Sequence, residues 1–374
     1  MSRTRIHLTI FVLFILPATS LFAQSAVSIE PIDVIAVTDS TGKAVPVITS
    51  LDIDPSGNLL AAGGDNHCVR MWDINAKNSP GMDRNNSHFQ FVTNTKTAVQ
   101  QTNLAMSENN HRIRFGNENV ETNHIEIREQ LDWVRGIVFS DDQKHLVIVG
   151  QDGQIEIHNV QTGDLVRKIT GKNRGMQAVA FRPGGQEFAV CGFSTSVPVY
   201  NVATGKIVRE LKAHGTSNRA IRFSPDGTYL AVAGRTGVIR VWNADTGIVE
   251  YELSGDDRRV NALAFSSGSS RLAVGGEGPN ITIWSMKNGK RVITLPERTG
   301  KTYSLEFCGE NLLASGESDN TIRFWNLDTR TTTANTASPN GHSGTIATLV
   351  FDAKKNVLAS GSFDTTVRFW PVPQ

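Results

Sequence analysis

Near the end of this chain lie a hydroxyl, an imidazole and a carboxylate, Ser360, His342 and Asp364, the three groups of a hydrolase triad. That chemistry needs an exposed nucleophile beside an oxyanion hole. Ser360 instead sits in the apolar run Leu358-Ala359-Ser360-Gly361-Ser362, with no G-x-S-x-G elbow around it, so no catalysis is expected there. Gly300-Lys301-Thr302 ends like a phosphate loop, but the position of the required first glycine holds Leu295. The 9 histidines are scattered without metal spacing, and Cys68, Cys191 and Cys308 form no CxxC motif. Cys191 fills the slot that Gly361 fills elsewhere, and the cysteines read as small buried hydrophobes. Asn85-Asn86-Ser87 and Asn280-Ile281-Thr282 match the N-glycosylation triplet. The expectation is therefore no enzyme activity, no cofactor and no metal.

The elements that carry these residues repeat. Trp72, Gly116, His158, Tyr200, Trp242, Trp284, Trp325 and Trp370 recur about every 42 residues, each in a β-rich stretch. Such a period, with four strands per unit, marks propeller blades. Residues 216–253 read as one unit. Ala220-Ile221-Arg222-Phe223 is an inner strand, and Ser224-Pro225-Asp226-Gly227 is a tight turn in which Pro presets φ and Gly accepts φ > 0. Residues 229–233, 238–242 and 248–253 follow as three further strands. The turn recurs as Asp54-Pro55-Ser56-Gly57 and Arg182-Pro183-Gly184-Gly185.

Residues 103–117 align with 312–326, with Gly116 in the place of Trp325, and residues 88–93 would supply an inner strand. Eight blades are favoured on that basis, and seven with a long insertion is the alternative. The last repeat stops after its third strand, and residues 31–37 form an orphan strand. Pairing that strand into the last blade would close the ring.

Residues 1–23 read as a secretory leader, with Arg3 and Arg5 before an apolar run over 6–16. The run is shorter than the roughly 20 residues that a membrane span needs. Leu21 fits the small-residue cleavage rule poorly, so cleavage after Ser20 or Ser25 is an alternative, as is an uncleaved anchor. Losing two arginines changes the net charge from +1 to −1, so the mature chain, 24–374, is a near-neutral single domain. No basic footprint for nucleic acid exists. The chain is expected to be exported, periplasmic or extracellular, monomeric, and without an integral membrane span.

At these residues the chain resembles the WD-repeat β-propeller family over roughly 31–374. The best unit carries Gly341-His342, Leu358-Ala359-Ser360-Gly361-Ser362, Asp364 and Trp370. The resemblance implies a buried hydrogen-bonded tetrad of His342, Ser360, Asp364 and Trp370. It departs elsewhere. Arg298 takes the His slot of the unit ending at Trp325, and Val232 and Thr236 take the Ser and Asp slots beside His214. Asn replaces the family's final Asp at Asn159, Asn201, Asn243 and Asn326, and Asp73 alone keeps the Trp-Asp pair.

In the family, partners meet the rim built from second-to-third-strand turns and the loops leading into inner strands. Mapped onto this chain, that rim carries Gln151, Arg235, Glu277 and Phe363 together with Trp133, Arg135, Arg219, Arg258, Arg259, Lys301 and Tyr303. An arginine-aromatic mixture is what interface hot spots favour. The function expected is an exported non-enzymatic scaffold that binds an unidentified protein through this rim. The alternative is a propeller that takes a small ligand or glycan in its channel, with an enzyme activity attached.

Overall fold

Turns of the kind read above cut the chain into short strands, most of six residues, which assemble into seven sheets. The computed structural model describes residues 27–37, 47–65, 67–74, 113–115, 124–128, 133–172, 175–254, 258–296, 300–337 and 339–373. Blade 4 shows the plan, with Asn218–Phe223, Tyr229–Gly234, Val238–Asn243 and Val249–Ser254 in antiparallel order from the channel outward. In its first turn the Gly227 amide donates to Ser224 O at 2.8 Å with φ +71°, the left-handed geometry that glycine supplies.

Burial explains the sequence patterns. The second strand of blade 4 is buried on both faces from Leu230 to Gly234, which is why its run does not alternate. The outer strand of blade 2, Leu165–Thr170, faces neighbour and solvent in turn and alternates strictly. Apolar side chains of adjacent blades interlock, as where Ile221 and Trp242 of blade 4 pack with Val197 and Val199 of blade 3. The innermost strands neighbour one another in chain order, and Ile346–Asp352 of blade 7 returns to Ile48–Ile53 of blade 1.

The described residues form seven blades, not the eight favoured from the sequence. Blade 1 comprises Ile48–Ile53, Leu59–Gly64 and Cys68–Asp73, and its fourth strand, His124–Arg128, comes from much further along the sequence. Ile113–Phe115 adds to the outer side of that strand as a fifth, pairing antiparallel with it. The resemblance of residues 103–117 to a third strand is thus local. Three residues of it, Ile113–Phe115, join an existing sheet edge, in a stretch where Gly116 stands in place of the anchoring indole. Residues 88–93 and Gly116 lie outside the described residues, as do the leader at 1–23, Arg298 and Asn85-Asn86-Ser87.

The N-terminal stretch lies on two blades. Val27–Ser28 runs parallel to Thr331–Asn335 at the edge of blade 6. Asp33–Ala36 pairs antiparallel with Thr366–Pro371 and supplies the fourth strand of blade 7.

Candidate functional site

Blade 7 holds a connected polar chain. The Trp370 indole N–H donates to Ser360 Oγ at 2.8 Å, and Ser360 Oγ lies 2.7 Å from His342 Nε2. His342 Nδ1 lies 2.8 Å from Asp364 Oδ2, which also accepts from the Ser343 amide at 3.0 Å. Burial lowers the His342 imidazole below its ordinary value, so it is neutral. Nδ1–H then donates to Asp364, and Nε2 accepts the Ser360 hydroxyl. Burial alone would raise Asp364, but hydrogen bonds from His342 and Thr366 outweigh it and hold the carboxyl well below the carboxylate range. Ser360 is fully buried under the indole. A network of this kind fixes the loop before the inner strand against the second and third strands of the blade.

Other blades solve the same problem with different residues. In blade 6 the Trp325 indole donates to Ser315 Oγ at 2.8 Å, and Ser315 donates to Glu317 Oε1 at 2.9 Å. Glu317 is fully buried and paired with Arg323, which reaches on to Asp319 at 2.6 Å. In blade 5 Trp284 donates to Thr282 Oγ1 at 3.1 Å, which occupies the hydroxyl of the Asn280-Ile281-Thr282 triplet. In blade 2 His158 takes the indole's place, with Nδ1 3.0 Å from Gly163 O and Nε2 3.2 Å from Glu156. Blade 3 uses Tyr200, stacked on Phe188 with centroids 5.3 Å apart. The final Asp of the repeat is dispensable because only an acceptor is used. Asn159, Asn201, Asn243 and Asn326 each accept a turn amide through Oδ1, at 3.0, 2.9, 3.0 and 3.0 Å.

One rim is defined by backbone hydrogen bonds. The amides of Gln151, Phe193, Arg235, Glu277, Ser318 and Phe363, each following a second strand, donate to carbonyls just before the inner strands. Their acceptors are Trp133, Gly175, Ser217, Arg259, Lys301 and Thr345, at 2.9–3.1 Å. Turns and inner-strand starts therefore share one end of the ring.

At that end every inner strand is irregular one residue in. Its register shifts between Ile48 and Ser50, and the same shift recurs in the six other blades. Such a bulge leaves one residue unpaired and re-aims its side chain. The bulged residues are Thr49, Arg135, Gln177, Arg219, Asn261, Tyr303 and Ala347, and all seven line one cavity of about 140 Å³ at the channel mouth.

The rim residues expected from the sequence fall into two groups and some singletons. Arg135 lies over the Trp133 ring at 4.7 Å and donates to Gln151 Oε1 at 3.0 Å through Nε. Arg219, Arg259, Glu277, Lys301 and Tyr303 cluster across blades 4 to 6. Arg235 and Arg258 are exposed on the same rim, and Phe363 stands alone on blade 7, 44% exposed. Phe193, which no family motif marks in the sequence, is 49% exposed in the blade 3 slot equivalent to Phe363. Gln177 and Asn261 join the same rim, and the signal that finds them is the repeat spacing from Arg135 and Arg219.

Toward the other end of the inner strands, Asp52 and Glu306 accept the Phe139 and Phe351 amides of the next blade, the first at 2.7 Å. Burial pushes both carboxyls up to about 7. Among the described residues no group of three or more His, Cys, Asp or Glu could hold a metal ion.

Two family models match the chain. Residues 37–73, 247–285, 289–326 and 334–371 match the family described as WD domain, G-beta repeat. The last three stretches each take in outer-strand residues of one blade and the first three strands of the next, so the sequence repeat straddles blades. Residues 80–257 match the family described as eukaryotic translation initiation factor eIF2A, a stretch whose described part runs from the outer strands of blade 1 through the outer strand of blade 4.

Proposed function

Because the chain is a WD-repeat β-propeller, we propose that it acts as a non-enzymatic scaffold that binds a protein partner on the rim carrying the inner-strand bulges. The observation that supports this most is the common address of that rim's side chains. Seven bulges aim their side chains at one mouth, and Trp133, Phe193 and Phe363 stand 43%, 49% and 44% exposed around it. Large aromatics are costly to leave in water, and arginine-aromatic sets are the usual anchors of protein interfaces. A small ligand or glycan fits the site less well, since the mouth cavity of about 140 Å³ is below the ~300 Å³ at which ligand pockets begin.

The ring is held shut by Asp33–Ala36, which completes blade 7 from the opposite end of the chain. The leader at 1–23 sends the mature scaffold out of the cytoplasm, to the periplasm or medium.

Trp133, Phe193 and Phe363 replaced together by alanine should abolish partner capture by the tagged chain in its host and leave the melting curve unchanged. Full retention of capture would place the contact elsewhere. Fractionation checks the export reading: an intact N-terminus retained in the cytoplasm would overturn it.

A further inference from the structure

On the blade 5 side of the channel mouth three cations surround one carboxylate. Arg259 Nη1 lies 3.2 Å and Lys301 Nζ 3.8 Å from Glu277 Oε1. Arg219, the bulged residue of blade 4, stands within electrostatic reach of both Arg259 and Glu277. Burial first, and then repulsion by Arg259, holds its guanidinium below its ordinary value. Its Nε is enclosed and has no acceptor among the described residues.

Two other polar bulge residues are satisfied. Thr49 Oγ1 donates to Val134 O at 2.6 Å, and Asn261 Nδ2 donates to Thr302 O at 3.1 Å, each reaching the next blade. Ser304, on the inner strand of blade 6, lines the same cavity. It is only 8% exposed, and its Oγ also has no partner among the described residues. Buried donors left unmatched are rare in folded proteins and call for a physical account.

A guanidinium facing a second guanidinium inside a concave polar mouth is relieved by an anion that can take two parallel N–H bonds. Cationic walls around a cleft also concentrate such anions. We propose that the partner enters this mouth with an acidic peptide segment, one of whose Asp or Glu carboxylates binds Arg219. Lys301 and Arg259 hold the flanking acids. This rests on the rim reading above and adds the chemistry of the partner.

The test uses the purified full chain and a labelled oligoglutamate peptide, with oligolysine and a phosphoserine peptide lacking carboxylate side chains as the comparison arms. Oligoglutamate should bind, and its affinity should fall as salt rises. Arg219→Ala should weaken it by at least about tenfold, and Arg219→Lys should restore part of the loss. Lys301→Glu, at an exposed side chain where folding is not at stake, should weaken it as well. Oligolysine binding as tightly, or both charge variants leaving the affinity unchanged, would overturn the proposal. Binding of the phosphoserine peptide alone would overturn it in favour of phosphate. If oligoglutamate fails while rim positions still cross-link to a neighbour in cells, the acidic chemistry is wrong and the rim reading stands. If both fail, both are wrong.

Discussion

Ser360 serves two partners with one oxygen, accepting from Trp370 and donating to the neutral His342. Ser360→Ala leaves both groups buried and unmatched, so it should cost about 1–3 kcal/mol in a denaturant titration. Trp370→Ala should cost about 3–5 kcal/mol, because it removes a large buried side chain and opens a cavity in the core. Acid acts on the same residues. His342 folds with its value below 6.5, so below that pH the unfolded chain gains a proton that the folded chain refuses, and stability falls. Asp364, depressed from 3.8, loses its contribution as pH falls further. Asp52 and Glu306, raised to about 7, act in the opposite sense as pH falls from 7. The share of the tetrad is therefore read as the difference between wild type and His342→Gln, which should shrink on acidification below 6.5. A difference independent of pH would contradict the neutral assignment. The blade 7 tetrad was legible in the sequence because all four residue types stand in their slots. The blade 6 network was not, because Glu317 occupies a position that is glycine in most of the blades and accepts from Ser315 the hydroxyl hydrogen bond that His342 Nε2 accepts in blade 7.

Strand pairing explains what the repeat pattern conveyed and where it misled. Turns such as Ser224-Pro225-Asp226-Gly227 were legible because each residue type does one geometric task. The blade count was not, since Ile113–Phe115 carries the letters of a third strand but pairs at the outer edge of blade 1. Inner-strand bulges leave no mark in residue type, as Thr49, Gln177 and Ala347 have nothing in common. Only register reveals them. The N-terminal stretch makes a further prediction. Deleting residues 27–38 strips the outer edges of blades 6 and 7, exposing Thr366–Pro371. An unpaired edge invites association. Sedimentation should therefore show aggregation and melting should shift downward; a monomer with an unchanged melting temperature would contradict closure by this strand.

At the scale of the molecule, seven blades make a rigid ring with two unlike ends. One end gathers the bulged residues, the exposed aromatics and the cluster of Arg219, Arg259 and Lys301. The other carries the turns between first and second strands, with Lys354 exposed in blade 7. Phe363 and Lys354 thus lie on one blade at opposite rims, and the comparison between them isolates the face. The deciding measurement places a photo-cross-linking side chain at each of these two positions in the tagged chain in its native host and identifies adducts by mass spectrometry. Reproducible adducts to one protein from position 363, lost when Trp133 and Phe193 are also replaced by alanine and missing from position 354, are the predicted result. Adducts from position 354 alone, or equally from both, would contradict the account.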